Sequence, residues 1–120
     1  MNDKITTINE IKDKIIKYMQ DRDWSQYHSP KNLSMSISIE AAELMEKFQW
    51  LTTEESKEFI KSNKQEVQEE IADIAISLIN LCKLYDIDLS QAIEQKMEIN
   101  AQKYPVEKCR GKREKYTSYR

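Results

Sequence analysis

Glu40-Ala41-Ala42-Glu43-Leu44 is written again, almost letter for letter, thirty positions later as Glu70-Ile71-Ala72-Asp73-Ile74. Each copy lies in a run with helical apolar spacing: Leu33, Ile37, Ala41, Leu44 and Phe48 around the first, and Val67, Ile71, Ile74, Leu78, Leu81 and Tyr85 around the second. Both runs therefore read as amphipathic helices. At about 100° per residue, Glu40 stands roughly 40° and Glu43 roughly 100° to one side of Leu44, and Glu70 and Asp73 take the same angles from Ile74. Two such helices packed face to face bring four carboxylates to one place at the edge of a shared core.

Acidic residues on a helix are ordinarily a solvated face tied to lysines at i,i+4. Glu43 has Lys47 at that spacing, but Glu66, Glu69, Glu70 and Asp73 have no Lys or Arg three or four positions away on either side. Exposed like charges along one helix cost only about 0.2–0.5 kcal/mol per pair. Carboxylates about 5 Å apart between helices repel by roughly 3 kcal/mol per pair at an effective dielectric of about 20. A cluster of that kind calls for a cation. Oxygen ligands with no Cys or His beside them select a hard ion, Mg²⁺ first and Mn²⁺ second.

The rest of the composition agrees with an all-α domain. One Gly and two Pro in 120 residues, with 33 % charged, exclude a β architecture, which needs turn residues at regular intervals. The length predicts one domain spanning residues 1–120, with a helical core over about 5–104 and a basic tail over 105–120. A core this small also predicts an oligomer, a homodimer or homotetramer. The net charge of −2 argues against a nucleic-acid polymer as partner. That charge is uneven, with seven Lys or Arg against two Glu from Lys103 to Arg120. Such a tail is commonly solvated, but it also suits polyphosphate at an acidic site, its own or a neighbour's. Cys82 and Cys109 form no C-x-x-C, and the charged N-terminus resembles neither a signal peptide nor a membrane span, so the expectation is a cytoplasmic protein without a membrane partner.

Capping signals divide the chain. Thr7-x-x-Glu10 opens a first helix over about 7–22, and Ser29-Pro30 opens the second, which should end near Trp50. Thr52-x-x-Glu55 opens a short connector over about 53–62, Ser62-x-x-Gln65 the third long helix to about Tyr85, and Asp88 with Gln91 the fourth, stopped by Pro105. After Pro105 helical periodicity is lost and an extended tail is expected. Trp24, Tyr27 and His28 fall in a linker, which a helix core does not explain. Trp24 reads either as a hinge cover or as a binding residue. His28, the sole histidine, suits a capping or buried hydrogen-bonding role better than metal ligation. On the fourth helix Lys96, Asn100 and Lys103 share a wedge of roughly 60°. They read either as phosphate contacts or as lysines lying over a subunit contact.

The ordered set E-x2-E, a 26-residue gap and E-x2-D, with Arg22-Asp23-Trp24, His28-x-Pro30-Lys31-Asn32-Leu33, Phe48-Gln49-Trp50, Lys96-x3-Asn100-x2-Lys103-Tyr104-Pro105 and Lys115-Tyr116-Thr117, resembles the MazG-like all-α nucleoside triphosphate pyrophosphohydrolases. The likeness is to the branch that includes the dCTP pyrophosphatases and covers about residues 5–117. It implies a four-helix bundle with a short connector that hydrolyses a nucleoside triphosphate, dCTP or a related pyrimidine nucleotide, to monophosphate and pyrophosphate. Glu40, Glu43, Glu70 and Asp73 would hold Mg²⁺. Trp24 and Trp50 would form the base pocket, with His28 near sugar or phosphates and Lys31 near phosphates. Lys96, Asn100 and Lys103, with Lys115 and Tyr116 of the tail, would meet the polyphosphate. Glu66, about 80° from Ile74 on the same side as Asp73, is the candidate general base outside the ligand set. Ile15 and Ser77 depart from the branch, where histidine and tyrosine line the pocket of some members, which leaves dUTP or purine triphosphates as rival substrates. A non-catalytic helical adaptor, its acids facing solvent or a partner, is the rival outside enzymology.

Overall fold

A computed structural model describes residues 1–119. Six α-helices and two short 3₁₀ turns account for its regular structure, and no strand occurs among the described residues. The helices gather into two compact units, Met1–Ile87 and a second that begins at Asp88.

In the first unit, α1 (Ile8–Asp21), α2 (Pro30–Glu46) and α4 (Lys64–Leu84) are the long elements, and α3 (Thr53–Ser62) connects α2 to α4. Local chemistry sets most of their ends. Thr7 and Thr52 each form a reciprocal capping box, with Glu10 and Glu55, while Ser29 accepts the Asn32 amide ahead of Pro30. At the C-terminus of α1 the chain turns through Asp23 at φ 54°, with Trp24 N–H on the Met19 carbonyl at 2.9 Å and Asp23 N–H on Gln20 at 3.0 Å. This is the 6→1 and 5→2 pairing of a Schellman turn. An aspartate takes the left-handed position here, in a chain whose single glycine is Gly111.

Two expected boundaries move. α2 ends at Glu46 rather than near Trp50, because Lys47 and Phe48 bond back three residues and the tightened turn puts Phe48 edge-on to Phe59 of α3 at 5.5 Å. Ser62 does not cap the third long helix. It lies in the last turn of α3, and Asn63 stands at the junction, its amide donating to the Phe59 carbonyl at 3.0 Å.

α4 packs against both α2 and α1. The interior is Ile15 and Met19 of α1, Leu33 of α2, and Val67, Ile79 and Cys82 of α4, with Asn80 wholly enclosed beside them. The buried face of α4 is rotated from the expected one, since Ile71 and Leu78 are exposed. Lys83 pairs with Asp13 at 3.1 Å and Lys12 donates to the Ile87 carbonyl at 2.6 Å, tying the end of α4 to α1.

The second unit holds α5 (Leu89–Lys103), capped by Asp88 on the Gln91 amide, and a short α6 (Val106–Cys109). The region after Pro105 is thus not wholly extended. Four residues and the later 3₁₀ turn Tyr116–Ser118 are too short to leave a periodic signature. Tyr104 gathers Tyr116 and Tyr119 edge-on, each at 5.9 Å. No helix among the described residues is long and apolar enough to cross a membrane.

Candidate metal and nucleotide site

Glu40 and Glu43 project from α2 toward α4, and Glu70 from α4 toward them. One carboxylate oxygen of each lies within 4.8 Å of the other two. Glu40 Oε2 and Glu70 Oε2 are buried with no hydrogen-bond partner. Unpaired buried carboxylate oxygens are costly. The cost appears as protonation: burial, a hydrogen bond shared with Glu43, and then the charges of Glu43, Asp73 and Glu70 push the Glu40 carboxyl up to about 7. Burial and the Glu43 charge raise Glu70 as well, while Lys47 pulls it back. Opposite oxygens around an octahedral Mg²⁺ are about 4.2 Å apart. Three converging carboxylates of this spread, two with unsatisfied oxygens, fit such an ion.

The fourth expected ligand does not join them. Asp73 is exposed and lies outside the 4.8 Å group. One turn on from Glu70, it is displaced by roughly 60° around the helix, toward α1 rather than α2, and its side chain is one methylene shorter. It lines a cavity of about 420 Å³ whose wall is apolar, made chiefly by Ile11, Ile15, Tyr18, Met19 and Ile76. Its charge still acts on Glu40 and Glu70.

Glu66, with no lysine three or four positions away on its own helix, has one across the helix interface. Lys47 Nζ stands 3.0 Å from Glu66 Oε1, and the Lys47 side chain is only 19 % exposed. The ammonium is stabilised first by the Glu66 hydrogen bond, then by the charges of Glu66, Glu70 and Glu43, against a desolvation cost. Because α2 and α4 run antiparallel here, Lys47 one turn beyond Glu43 meets Glu66 one turn before Glu70. Spacing along the chain could show the Glu43–Lys47 neighbourhood but not this crossing.

Trp24 packs edge-on to Tyr18 at 6.0 Å, with the Arg22 guanidinium 3.6 Å over the Tyr18 ring and 5.9 Å from the indole. Trp50 is 87 % exposed. Lys31 is exposed in the first turn of α2. His28 is held within the fold: the Asn80 amide donates to its Nδ1 at 3.1 Å and the Tyr85 hydroxyl to its carbonyl at 3.2 Å. Asn80, buried with its Oδ1 unpaired, is a polar core residue that apolar periodicity could not flag. In the second unit Lys96, Asn100 and Lys103 are exposed on α5, and Lys103 Nζ lies 5.2 Å from the Tyr116 ring. The Lys115 carbonyl accepts the Ser118 hydroxyl at 2.7 Å.

Residues 35–118 match the model of the MazG-like family. The chain is 36 % identical over 113 residues to dCTP pyrophosphatase 1 of Mus musculus, an alignment covering 92 % of this chain and 66 % of that protein. It is 34 % identical to dCTP pyrophosphatase 1 of Homo sapiens over the same length, again covering 92 % and 66 %. The chain thus spans about two thirds of the length of these relatives. A crystal structure of a pyrophosphatase from Archaeoglobus fulgidus superposes with a TM-score of 0.79 at 45 % identity, covering 82 % of this chain and 92 % of that one.

Proposed function

Given that this chain belongs to the MazG-like family, we propose that it is a divalent-metal-dependent pyrophosphohydrolase that cleaves dCTP or a related pyrimidine deoxynucleoside triphosphate to monophosphate and pyrophosphate. The observation that supports this most directly is the meeting of Glu40, Glu43 and Glu70 with two buried oxygens unpaired. The relatives named dCTP pyrophosphatase 1 and the archaeal pyrophosphatase support the same reaction class.

Glu40, Glu43 and Glu70 would hold Mg²⁺ or Mn²⁺, with Asp73 completing the set from the cavity side. The bound ion supplies charge neutralisation for a triphosphate carrying about four negative charges and lowers the pKa of bound water. In the reaction a water oxygen bonds to the α-phosphorus, the bond to the α,β-bridging oxygen breaks, pyrophosphate leaves, and one water proton goes to a carboxylate. Glu66 is our candidate for that acceptor, and it must first be released by Lys47. Trp24 and Trp50 offer indole faces to the base. His28 is a candidate for contact to sugar or phosphates, and its bond to Asn80 suits it to fixing the Trp24 loop. Lys31, Lys96, Asn100, Lys103, Lys115 and Tyr116 are the remaining candidates for phosphate contact.

Exposed Met35, Ile39, Ile71, Ile93 and Met97 support a homodimer or homotetramer, since a small core leaves apolar helix faces for a second copy. Two free thiols suit the cytoplasm. A second reading, toward other bases, is favoured by the apolar cavity that includes Ile15 beside Asp73, which offers little to read a pyrimidine edge. The deciding experiment is a turnover panel of common and 5-modified triphosphates, identifying monophosphate and pyrophosphate as products. Orthophosphate release would replace the pyrophosphohydrolase reading with cleavage at another phosphorus, and no turnover with no binding of Mg²⁺ and triphosphate would leave the adaptor reading in its place.

A further inference from the structure

The chain places one cation at the rim of its own acidic cluster, on a flexible side chain. Lys47 leaves α2 one turn after Glu43, is four-fifths covered, and rests its ammonium 3.0 Å from Glu66. Lysine presents a point charge on a flexible stem with three rotatable donors, unlike the fixed fork of arginine. Its only close partner among the described residues is a carboxylate that is itself half exposed. Such a pair bridges two helices at the rim of a site with its carboxylate open to solvent, so the ammonium can exchange one anionic oxygen for another by rotating its stem.

We propose that Lys47 is the resident counter-ion of the carboxylate cluster, and that it leaves Glu66 for a terminal phosphate oxygen when a nucleoside triphosphate enters. This rests on the pyrophosphohydrolase reading and adds a phosphate contact that the first unit supplies from α2. No bond is made or broken in the exchange; one charge-assisted hydrogen bond replaces another. It leaves Glu66 without its cation in the loaded site, where a proton acceptor is needed. It also makes Lys47 compete electrostatically with a divalent ion in the empty site while helping the nucleotide in the full one.

Those two effects have opposite signs, and the variant Lys47→Met reads both. Titration with Mg²⁺ or Mn²⁺ alone should show tighter binding by about tenfold, the influence of removing one unit charge about 6 Å from a divalent ion in a water-like medium. Titration with the α,β-imido analogue of the best-turned-over triphosphate, at saturating Mg²⁺, should show binding weakened by about tenfold, the loss of one charge-assisted contact. The matching monophosphate, which lacks the terminal phosphates, should bind as to the wild type, and Lys47→Arg should restore most of the triphosphate affinity. Weaker binding of both metal and analogue would make Lys47 a structural strut and overturn the proposal. Unchanged analogue binding would overturn it equally. A wild-type protein that binds neither metal nor analogue would instead sink the pyrophosphohydrolase reading.

Discussion

His28 and Asn80, 52 residues apart in sequence, meet through a 3.1 Å hydrogen bond between imidazole Nδ1 and amide Nδ2, and Asn80 has no exposed surface. The amide nitrogen can only donate, so it is the donor of this bond and the ring nitrogen the acceptor. The pair fastens the loop carrying Trp24 to α4, the helix that carries Asp73 about two turns and Glu70 about three turns earlier. Loss of the donor in Asn80→Ala should cost about 1–3 kcal/mol, since His28 Nδ1 is left without its partner and a cavity opens. Thermal melting should fall by roughly 5 °C or more. Trp24 emission should shift to the red as its loop loosens. An unchanged melt would mean that the bond is idle.

Glu43→Gln should separate catalysis from folding. On the proposed reading one metal ligand of the trio is lost, so turnover should fall at least a hundredfold, roughly 3 kcal/mol or more of transition-state charge stabilisation. The same substitution removes a charge that raises Glu40 and Glu70. The metal-free variant should therefore melt at or above the wild type, with unchanged helix content by circular dichroism, while the stabilisation by Mg²⁺ disappears. A variant that melts lower without metal would contradict the repulsion inferred at the cluster.

The pH dependence follows from Glu40, whose carboxyl rises from 4.5 to about 7 on folding. The folded state binds the proton more tightly than the unfolded one, so this group's contribution is full below about 4.5 and is lost as pH rises through 7. Glu70 is raised in the same direction. The metal-free protein should lose stability across that window, and Glu40→Gln should flatten the slope. Protons and metal compete for the same oxygens, so Mg²⁺ affinity should climb over the same range. Melts at several pH values, with and without Mg²⁺, measure both slopes.

What the sequence made legible was local chemistry. Thr7, Ser29 with Pro30, Thr52 and Asp88 cap their helices as spacing predicts, because a cap needs only residues within three positions. What it concealed was tertiary. The Phe48–Phe59 contact ends α2 early, and Asn63, not Ser62, stands at the α3–α4 junction because its amide closes α3. The α4 face turns to bury Asn80 in place of Leu78, a choice made by His28 on another element. Glu40, Glu43 and Glu70 could be placed together from helix angles alone. Asp73 diverges because α1, whose packing angle no spacing encodes, offers it a cavity wall. Lys47 crossing to Glu66 belongs to the same class, visible only once two helices are set side by side.

The two tryptophans make the final test because the structure treats them so differently. Trp24 is braced by Tyr18 and Arg22, whereas Trp50 stands 87 % exposed in the turn after α2. A ring that touches so little contributes little to the stability of the single chain, so Trp50→Ala should leave the melt within about 2 °C of wild type. If its face stacks on a base, nucleotide affinity should fall by about 1–3 kcal/mol, roughly fivefold to over a hundredfold, with little change in Mg²⁺ binding. Trp24→Ala should weaken nucleotide binding comparably but also lower the melt, since the Tyr18 edge contact goes with it. Calorimetric titration of both variants, beside their sedimentation velocity, distinguishes the roles: a Trp50 variant that changes oligomeric state and keeps its nucleotide affinity would assign that ring to a subunit contact instead.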